Sequence, residues 1–195
     1  MSRIIAGALK GRRLVTPRGD VTRPTADQVR IALMDTLAPW LDGARFLDLF
    51  AGAGGVGLEA LSRGAAHVTF VERDAGAVAA LRQNVETLGL AGATRVVRGD
   101  VARELDTLGE EPFTLVFLDP PYDTEVATTL AVLGTSDLLA PDALVIAQHF
   151  TKRPPPAQAG RLAAFRTRRF GETTLTFFRA DAYDAPSPSP SEREV

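Results

Sequence analysis

The feature that most constrains this chain is a regular alternation of strand-like and helix-like segments from residue 45 onwards. Short apolar runs of strand length alternate with longer segments whose apolar residues recur every three or four positions. Such an alternation predicts βαβ units, a mostly parallel sheet and helices on both of its faces. The predicted strands are Arg45–Phe50, His67–Val71, Thr94–Arg98, Phe113–Leu118 and Ala143–Ala147, and the predicted helices are Val56–Arg63, Ala75–Leu88, Ala102–Leu108 and Glu125–Leu133.

Different patterns flank this alternation and divide the chain into three predicted regions. Residues 1–40 form a basic N-terminal region with a hairpin and a helix. Residues 41–180 form the α/β domain, and residues 181–195, which alternate proline and serine, form a tail that we expect to be disordered. The flanking elements are a hairpin of Ile4–Ala6 and Arg13–Val15, a helix that ends near Leu37, and an antiparallel hairpin of Arg161–Arg169 and Thr173–Arg179.

Cysteine and histidine usage excludes several chemistries. The chain has no cysteine, which rules out a disulfide scaffold, a thiolate metal site and a cysteine nucleophile. Its two histidines, His67 and His149, are far apart in the sequence, so we expect no metal. No apolar run approaches the length of a membrane span and no secretory leader is recognisable, so we expect a cytoplasmic protein without a membrane partner.

The near-neutral formal charge of −2 conceals an uneven distribution. Residues 1–30 carry seven bases and two acids, and residues 150–180 carry seven bases and one acid. Between them, residues 31–149 carry seventeen acids and seven bases. The two basic flanks suit contacts with nucleic-acid phosphates, although a solvated surface would explain either charge run taken alone.

A glycine-rich turn follows the first predicted strand of the α/β domain. Gly52, Gly54 and Gly57 fit the pattern G-x-G-x-x-G between a strand and a helix. Glycines let the backbone turn tightly and approach a ligand, and the following helix start offers free N–H groups. Taken alone, the pattern predicts a nucleotide site or close packing about equally.

Acidic residues end four successive strands, at the edge where parallel sheets bind ligands. A dinucleotide-binding turn keeps apolar residues before its first glycine, whereas this one carries Asp48, which suits the cationic sulfonium and amino groups of S-adenosyl-L-methionine. Glu72 is placed to accept both hydroxyls of a ribose. Asp100 is placed to contact an adenine edge, with a helix cap as the equally favoured alternative. Asp119 ends the fourth strand.

The most specific motif is Asp119-Pro120-Pro121-Tyr122. Proline has no N–H, so the carbonyl groups here stay free to accept hydrogen bonds. If the Asp119 carboxylate and the Pro120 carbonyl accept the two hydrogens of a nucleobase amine, the nitrogen can pyramidalise and direct its lone pair at a methyl donor. Tyr122 would stack on a base taken out of its helix or loop.

These motifs resemble those of class I S-adenosylmethionine-dependent methyltransferases with an Asp-Pro-Pro-Tyr loop. In combination they are similar to a narrower group, the bacterial 16S ribosomal RNA guanine-N2 methyltransferase family RsmD. The resemblance covers roughly residues 2–180. The strings that carry it are Arg3–Gly7, Gly11–Leu14, Arg23–Thr25, Val29-Arg30, Leu47–Gly52, Gly57–Ala65 and Phe117–Tyr122.

The resemblance implies a fold, an activity and a set of site residues. The fold is a Rossmann-like, mostly parallel seven-stranded sheet with an antiparallel C-terminal strand, and residues 41–180 are its catalytic domain. The activity is methylation of the N2 amine of guanine 966 in 16S ribosomal RNA, within an assembling or assembled small ribosomal subunit. Separately from the resemblance, we expect a monomer. The implied cofactor-binding residues are Asp48, Phe50, Gly52, Gly54, Gly57, Glu72 and Asp100, the catalytic residues are Asp119, Pro120, Pro121 and Tyr122, and the RNA-binding residues are Arg12, Arg13, Arg23 and Arg30.

Three departures from the family pattern affect the substrate contacts more than the cofactor site. Gln28 and Ile31 stand where the family often has Arg and Glu, and Gln148 replaces an acid after the fifth strand. The catalytic loop alone fits adenine N6 in DNA or RNA as well as guanine N2, since both are exocyclic amines. A non-catalytic RNA-binding assembly factor and a nicotinamide oxidoreductase are the alternatives from other classes.

Overall fold

The computed structural model describes residues 2–17, 24–109, 111–121 and 126–181, with side chains of the first helix described from Asp27 onwards. Over these ranges the predicted alternation of strands and helices is confirmed. The strands are β1 (Ser2–Arg3), β2 (Arg13–Leu14), β3 (Arg45–Leu49), β4 (His67–Glu72), β5 (Thr94–Arg98), β6 (Phe113–Leu118), β7 (Leu139–Phe150), β8 (Gln158–Ala159), β9 (Leu162–Phe170) and β10 (Thr173–Ala180). The α-helices are α1 (Pro24–Leu41), α2 (Gly55–Ser62), α3 (Ala75–Leu88), α4 (Val101–Glu104) and α5 (Val126–Thr135), and 3-10 turns span Ala91–Ala93 and Leu105–Thr107.

The main sheet has the strand order β5-β4-β3-β6-β7-β10-β9-β8. Its first five strands are parallel, whereas β10, β9 and β8 are each antiparallel to the preceding neighbour in that order. The chain moves outward from β3 to β5 and then returns to place β6 on the other side of β3. This reversal leaves a crevice at the carboxyl ends of β3 and β6, where open α/β sheets bind ligands.

The core consists of two apolar clusters, one on each face of the sheet. Ile4, Leu33 and Phe46 belong to the cluster that α1, α2 and α3 cover. Leu49 and Leu130 belong to the cluster under α4 and α5. The N-terminal region therefore packs on the sheet through the same cluster as the central strands.

Residues 2–14 are held on α2 by buried polar contacts. The carboxylate of Glu59, which has no exposed surface, accepts hydrogen bonds from the amides of Ile5 (2.7 Å) and Ala6 (2.9 Å). The Ser62 carbonyl accepts the amide of Ala8 at 2.7 Å. Gly7 has a φ of +81°, and a Cβ there would lie 1.8 Å from the Ser62 carbonyl oxygen, so only glycine fits this approach.

Several predicted boundaries differ from the structure. The hairpin strand expected at Ile4–Ala6 is Ser2–Arg3, which pairs with Arg13–Leu14, and the first helix continues past Leu37 to Leu41. The sheet has eight strands, not seven, because the two-residue strand β8 adds an edge beside β9. Strand β7 is longer than Ala143–Ala147, since Leu139 pairs with Phe113 at one end and Phe150 pairs with Thr173 at the other. The helix predicted to reach residue 108 breaks after four residues into a 3-10 turn.

The predicted tail, residues 181–195, lies outside the described residues apart from its first position. Among the described residues, no helix combines the length and apolar character needed to cross a bilayer.

Candidate active site

Two adjoining cavities lie at the carboxyl ends of the central parallel strands. Phe50, Asp119 and Gln148 line both of them. The first, of about 310 Å³, is completed by Glu72, Arg73, Pro120 and Pro121. The second, of about 270 Å³, is bounded by the glycine turn, α1 and the N-terminal hairpin. A ligand extending across both cavities would pass beside Phe50 and Asp119.

The turn after β3 begins with a strained residue. Phe50 has a φ of +60°, a left-handed conformation that costs a non-glycine residue about 1–3 kcal/mol. Gly52 (φ +55°) and Gly54 (φ +83°) continue the turn, and α2 begins at Gly55. Such strain persists where the surrounding structure fixes it, and here it exposes the Phe50 ring to both cavities.

The three glycines of the motif have different surroundings. A Cβ on Gly54 would lie 2.3 Å from Leu81 Cδ1, and one on Gly57 would lie 2.4 Å from Phe70 Cε1. These two glycines therefore allow α2 to pack closely on α3 and β4. A Cβ on Gly52 would meet nothing within 4 Å, so Gly52 faces open space. The packing interpretation thus holds at Gly54 and Gly57, and a ligand contact at all three stays a prediction.

Asp48 is a buried carboxylate beneath the turn. It is 2% exposed, and its Oδ2 accepts a hydrogen bond from the Gly57 amide at 2.8 Å. Burial raises its pKa to about 8, and the negative charges of Asp119 and Glu72 add to this rise, while the Gly57 hydrogen bond opposes it. A cation placed in the adjoining cavity would favour the ionised form of Asp48.

Glu72, at the end of β4, is fixed by two backbone amides. Its Oε2 accepts the Gly52 amide and its Oε1 accepts the Asp74 amide, both at 2.8 Å. The carboxylate therefore joins the glycine turn to the start of α3 and lines the first cavity. Asp100 instead caps α4, accepting the Ala102 amide at 3.1 Å, and lines neither cavity. The contacts of Asp100 are thus those of a helix cap, and its contact with an adenine stays a prediction.

Asp119 ends β6 at the junction of the two cavities. Its amide donates to the Leu49 carbonyl at 3.4 Å, which fixes the loop to the end of β3. The side chain is accessible from the mouth of the cleft, yet the cleft walls remove enough of its hydration to raise its pKa to about 6. A hydrogen bond from Gln148 opposes this rise. Pro120 and Pro121 line the first cavity, and Tyr122 lies outside the described residues.

The predicted RNA-binding arginines do not form one surface. Arg12 and Arg13 are exposed on the N-terminal hairpin, where Arg12 Nη2 donates to the Thr87 carbonyl at 3.3 Å. Arg23 lies outside the described residues. Arg30 is only 8% exposed and lines the second cavity, so its position differs from that expected of a surface phosphate contact.

The sequence prediction assigned no role to two polar residues that organise the site. Asn84, buried in α3, accepts the Val15 amide (2.7 Å) and donates to the carbonyls of Val15 (2.9 Å) and Ala53 (3.1 Å), so it connects the N-terminal region to the glycine turn. The sequence signal that could have identified Asn84 is its position three residues after Leu81, on an otherwise apolar face of the helix. Gln148, bonded to Asp119, was recognised only as a departure from the family pattern.

Three features indicate the class of protein: the strand order, the acids at the strand ends and the glycine turn. The fold is the Rossmann-like fold of S-adenosylmethionine-dependent methyltransferases. The family model described as Conserved hypothetical protein 95 matches residues 2–179, and the chain belongs to this family. Both the fold and the family agree with the predicted cofactor, S-adenosyl-L-methionine, and the predicted resemblance to RsmD is confirmed.

Individual relatives match over nearly their whole length. The YlbH protein of Bacillus subtilis (strain 168) is 37% identical over 180 residues, which cover 91% of this chain and 98% of the relative. Ribosomal RNA small subunit methyltransferase D of Escherichia coli (strain K12) is 35% identical over 181 residues, which cover 92% of this chain and 90% of that relative. The solved structure of Escherichia coli yhhF superposes with a TM-score of 0.81 at 32% identity, covering 93% of this chain and 99% of that one.

Proposed function

We propose that this protein transfers a methyl group from S-adenosyl-L-methionine to the N2 amine of guanine 966 in 16S ribosomal RNA, within the small ribosomal subunit. The observation that carries the proposal is the position of Asp119 where the two cavities meet, with Pro120 next to it in the first cavity. The family supports the class of substrate, since its Escherichia coli relative is named a small-subunit ribosomal RNA methyltransferase.

The residues of the cleft fit a cationic adenosine-containing cofactor. Burial raises the pKa of both Asp48 and Asp119, and the charges of Asp119 and Glu72 add to the rise at Asp48. A ligand with a positive sulfur and an ammonium group would favour the ionised forms of these acids and would be bound by them. Glu72 would accept the ribose hydroxyls at the first cavity, and the open space at Gly52 leaves room for the ligand.

The chemistry needs orientation more than activation. S-adenosyl-L-methionine supplies, when bound, a methyl group on a positively charged sulfur. Asp119, whose pKa of about 6 leaves it mostly ionised at pH 7, accepts one hydrogen of the guanine amine, and the Pro120 carbonyl accepts the other. These two acceptors hold the nitrogen lone pair toward the methyl carbon. The nitrogen then loses a proton, which the Asp119 carboxylate can receive.

The remaining residues would bind the RNA. Tyr122 stacks on the target guanine after it leaves its helix or loop, as aromatic residues do at flipped or single-stranded bases. Arg12 and Arg13, exposed on the hairpin, and Arg23 contact phosphates and set the register of the RNA. The protein acts as a cytoplasmic monomer without a metal.

The substrate assignment is tested by offering three substrates with methyl-labelled cofactor. These are small ribosomal subunits that lack the modification, naked 16S RNA and DNA. We expect label in subunits or RNA, recovered as N2-methylguanosine after nuclease digestion. Label recovered as N6-methyladenosine, or incorporated into DNA alone, would overturn the guanine assignment. Saturable NAD binding without S-adenosylmethionine binding would overturn the whole class.

A further inference from the structure

We infer that Gln148 selects guanine over adenine, because its side-chain oxygen accepts a hydrogen bond from the N1–H that lies beside the target amine of guanine. This inference rests on the proposed function and names the residue that distinguishes the two bases. The Asp119–Tyr122 loop does not distinguish them through its contacts with the amine, since guanine N2 and adenine N6 are both exocyclic amines. A group beside the loop has to read the rest of the base edge.

Gln148 lies next to Asp119 because of the register of the sheet. Strands β6 and β7 are parallel neighbours, and Leu118 of β6 pairs with Ala147 of β7. Asp119 and Gln148 are the residues that follow this pair, and their side chains line the same two cavities. A base whose amine is held by Asp119 and Pro120 would therefore have Gln148 beside it.

The Gln148 side chain is open to a ligand. It is only partly buried and faces the cleft from both cavities. Its amide donates a hydrogen bond to the Asp119 carboxylate. Its oxygen receives no hydrogen bond from the residues that the structure describes, so this acceptor is available to a substrate.

Asp119 determines which end of the Gln148 amide faces the base. An ionised carboxylate only accepts hydrogen bonds, so the Nε2 of Gln148 is directed at it. The opposite orientation of the amide would place Oε1 against the carboxylate oxygens, and two acceptors in contact repel each other. The carboxylate has enough lone pairs to accept both from Gln148 and from the target amine.

Guanine and adenine present opposite groups to the Gln148 oxygen. In guanine, the N2 amine is next to N1–H, which is a donor. In adenine, the N6 amine is next to an N1 that carries a lone pair and is an acceptor. Guanine would therefore gain a hydrogen bond, whereas adenine would place two acceptors against each other. A site that hydrogen-bonds one group of its substrate strongly rejects an analogue that lacks the group, because the polar atom of the site is left unpaired.

A base analogue tests the contact with N1–H. The base 2-aminopurine keeps the 2-amine of guanine, but its N1 carries a lone pair and it has no 6-oxygen. Small ribosomal subunits are reconstituted with 16S RNA that has guanine or 2-aminopurine at the target position. Methyl transfer from labelled cofactor is then measured at pH 8, where Asp119 is ionised. We expect the wild type to prefer guanine by about 100-fold or more in kcat/KM.

Two substitutions separate the acceptor oxygen from the other properties of this side chain. Gln148→Met keeps the length but removes both polar atoms, and it should reduce the preference to about tenfold or less. Gln148→Glu keeps an acceptor oxygen and should retain the preference of the wild type, although its charge beside Asp119 slows transfer to both substrates. Gln158→Met, on the exposed strand β8 and outside both cavities, is the matched control and should change neither rate.

The ratio of the two substrates decides the outcome, since a partly unfolded variant lowers both rates equally. A preference that Gln148→Met leaves unchanged would overturn the inference and assign the recognition of N1–H to Asp119 alone. An equal loss of preference in Gln148→Glu would also overturn it, because Gln148 would then only position Asp119. A wild type that methylates both substrates equally would contradict it directly. A wild type that transfers no methyl group to guanine-containing subunits would instead refute the proposed function.

Discussion

The two ends of the parallel strands both carry cavities lined by charged residues, but they differ in how those charges are balanced. The amino-end cavity is the larger, at about 840 Å³, and includes Arg45, His67, Arg95 and Glu111. Arg45 pairs with Glu111 at 2.6 Å, and Arg95 donates to the Leu108 carbonyl at 3.2 Å. Burial, together with the charge of Arg45, lowers the pKa of His67.

The carboxyl end has the opposite balance. Its two cavities are smaller, at about 310 and 270 Å³, but Asp48 and Asp119 face them with raised pKa values. Two acids whose charged forms are disfavoured therefore lie at one cleft, an arrangement that is common at functional sites and suits a cationic ligand. The raised pKa values of Asp48 and Asp119 therefore distinguish the candidate active site from the larger cavity, whereas volume alone would favour the amino end.

The strongest test of this contrast is Asp119→Asn. The asparagine side chain keeps one acceptor oxygen but has no negative charge. The nucleobase amine therefore loses the carboxylate that orients it and that can accept its proton. We expect methyl transfer to fall at least 10³-fold, which corresponds to about 4 kcal/mol in the barrier. Binding of S-adenosylhomocysteine should change less than threefold. Labelled methyl incorporation and calorimetry measure the two quantities.

The matched control is Asp137→Asn, at the amino-end cavity. Its transfer rate should stay within twofold of the wild type. A comparable loss in both variants would show that the two ends do not differ in function.

The next largest effect is expected in the pH dependence of stability. The folded protein keeps a proton on Asp48 up to about pH 8, whereas the unfolded chain releases it near the ordinary pKa of 3.8. The stabilisation is therefore full below pH 4 and is lost as the pH rises through 8. Between pH 6.5 and 8.5, the free energy of unfolding should fall by about 2 kcal/mol more in the wild type than in Asp48→Asn. Urea unfolding at both pH values measures this, and parallel curves would contradict the burial of an uncompensated carboxylate.

A smaller effect is expected at Glu72, which lines the first cavity. Glu72→Gln keeps one acceptor oxygen for its two backbone amides but removes the charge that would bind the ribose hydroxyls. We expect S-adenosylhomocysteine affinity to fall about tenfold, or about 1.4 kcal/mol. Glu86→Gln, at an exposed position of α3, should bind the ligand normally. Equal affinities in the two variants would remove Glu72 from the site.

The smallest effect is expected at the amino end. Glu111→Gln breaks the ion pair with Arg45. The Glu111 side chain is 66% exposed and the Arg45 side chain is 34% exposed. Because partly exposed pairs contribute little, the free energy of unfolding should fall by less than about 0.5 kcal/mol, with an unchanged transfer rate. Thermal unfolding and the methyl-transfer assay test this. If methyl transfer by Glu111→Gln were tenfold slower, the larger cavity would have to contribute to the activity.

Elements with strong local determinants could be predicted from the sequence. Ala75–Leu88 was predicted to the residue, because Asp74 caps its start through the Ala77 amide and Gly89 ends it in a left-handed conformation. Strand β6 was predicted equally well, since its apolar run has the length of one buried strand and a proline follows. Both depend on residues within a few positions of each other.

Features set by tertiary approach could not be predicted in this way. Strand β8 forms where Gly134 meets Ala159 so closely that a Cβ on Gly134 would lie 1.9 Å from the Ala159 carbonyl oxygen. Gly160 permits the approach, since a Cβ there would lie 2.4 Å from the Gly134 carbonyl oxygen, but a glycine in the sequence does not indicate which distant residue it meets.

The candidate site shows the same division. The positions of Asp48, Glu72 and Asp119 follow from strand ends, and the structure brings Glu72 and Asp119 to one cavity and Asp48 and Asp119 to the other. The inward direction of Arg30 does not follow from its place in a basic run. It depends on Asp27 and on the Arg3 carbonyl, which fix the guanidinium from two separate elements.

The contact of residues 2–14 with α2 also bears on how the chain is made. Ile5 and Ala6 are translated before their acceptor, Glu59, which follows 54 and 53 positions later. Chains are synthesised from the amino terminus, and domains can fold as they emerge. This segment therefore has no hydrogen-bond acceptor in α2 until α2 has been translated. It cannot make its native contacts before then, and a pause in translation between the two would extend the time for which it is open to proteases.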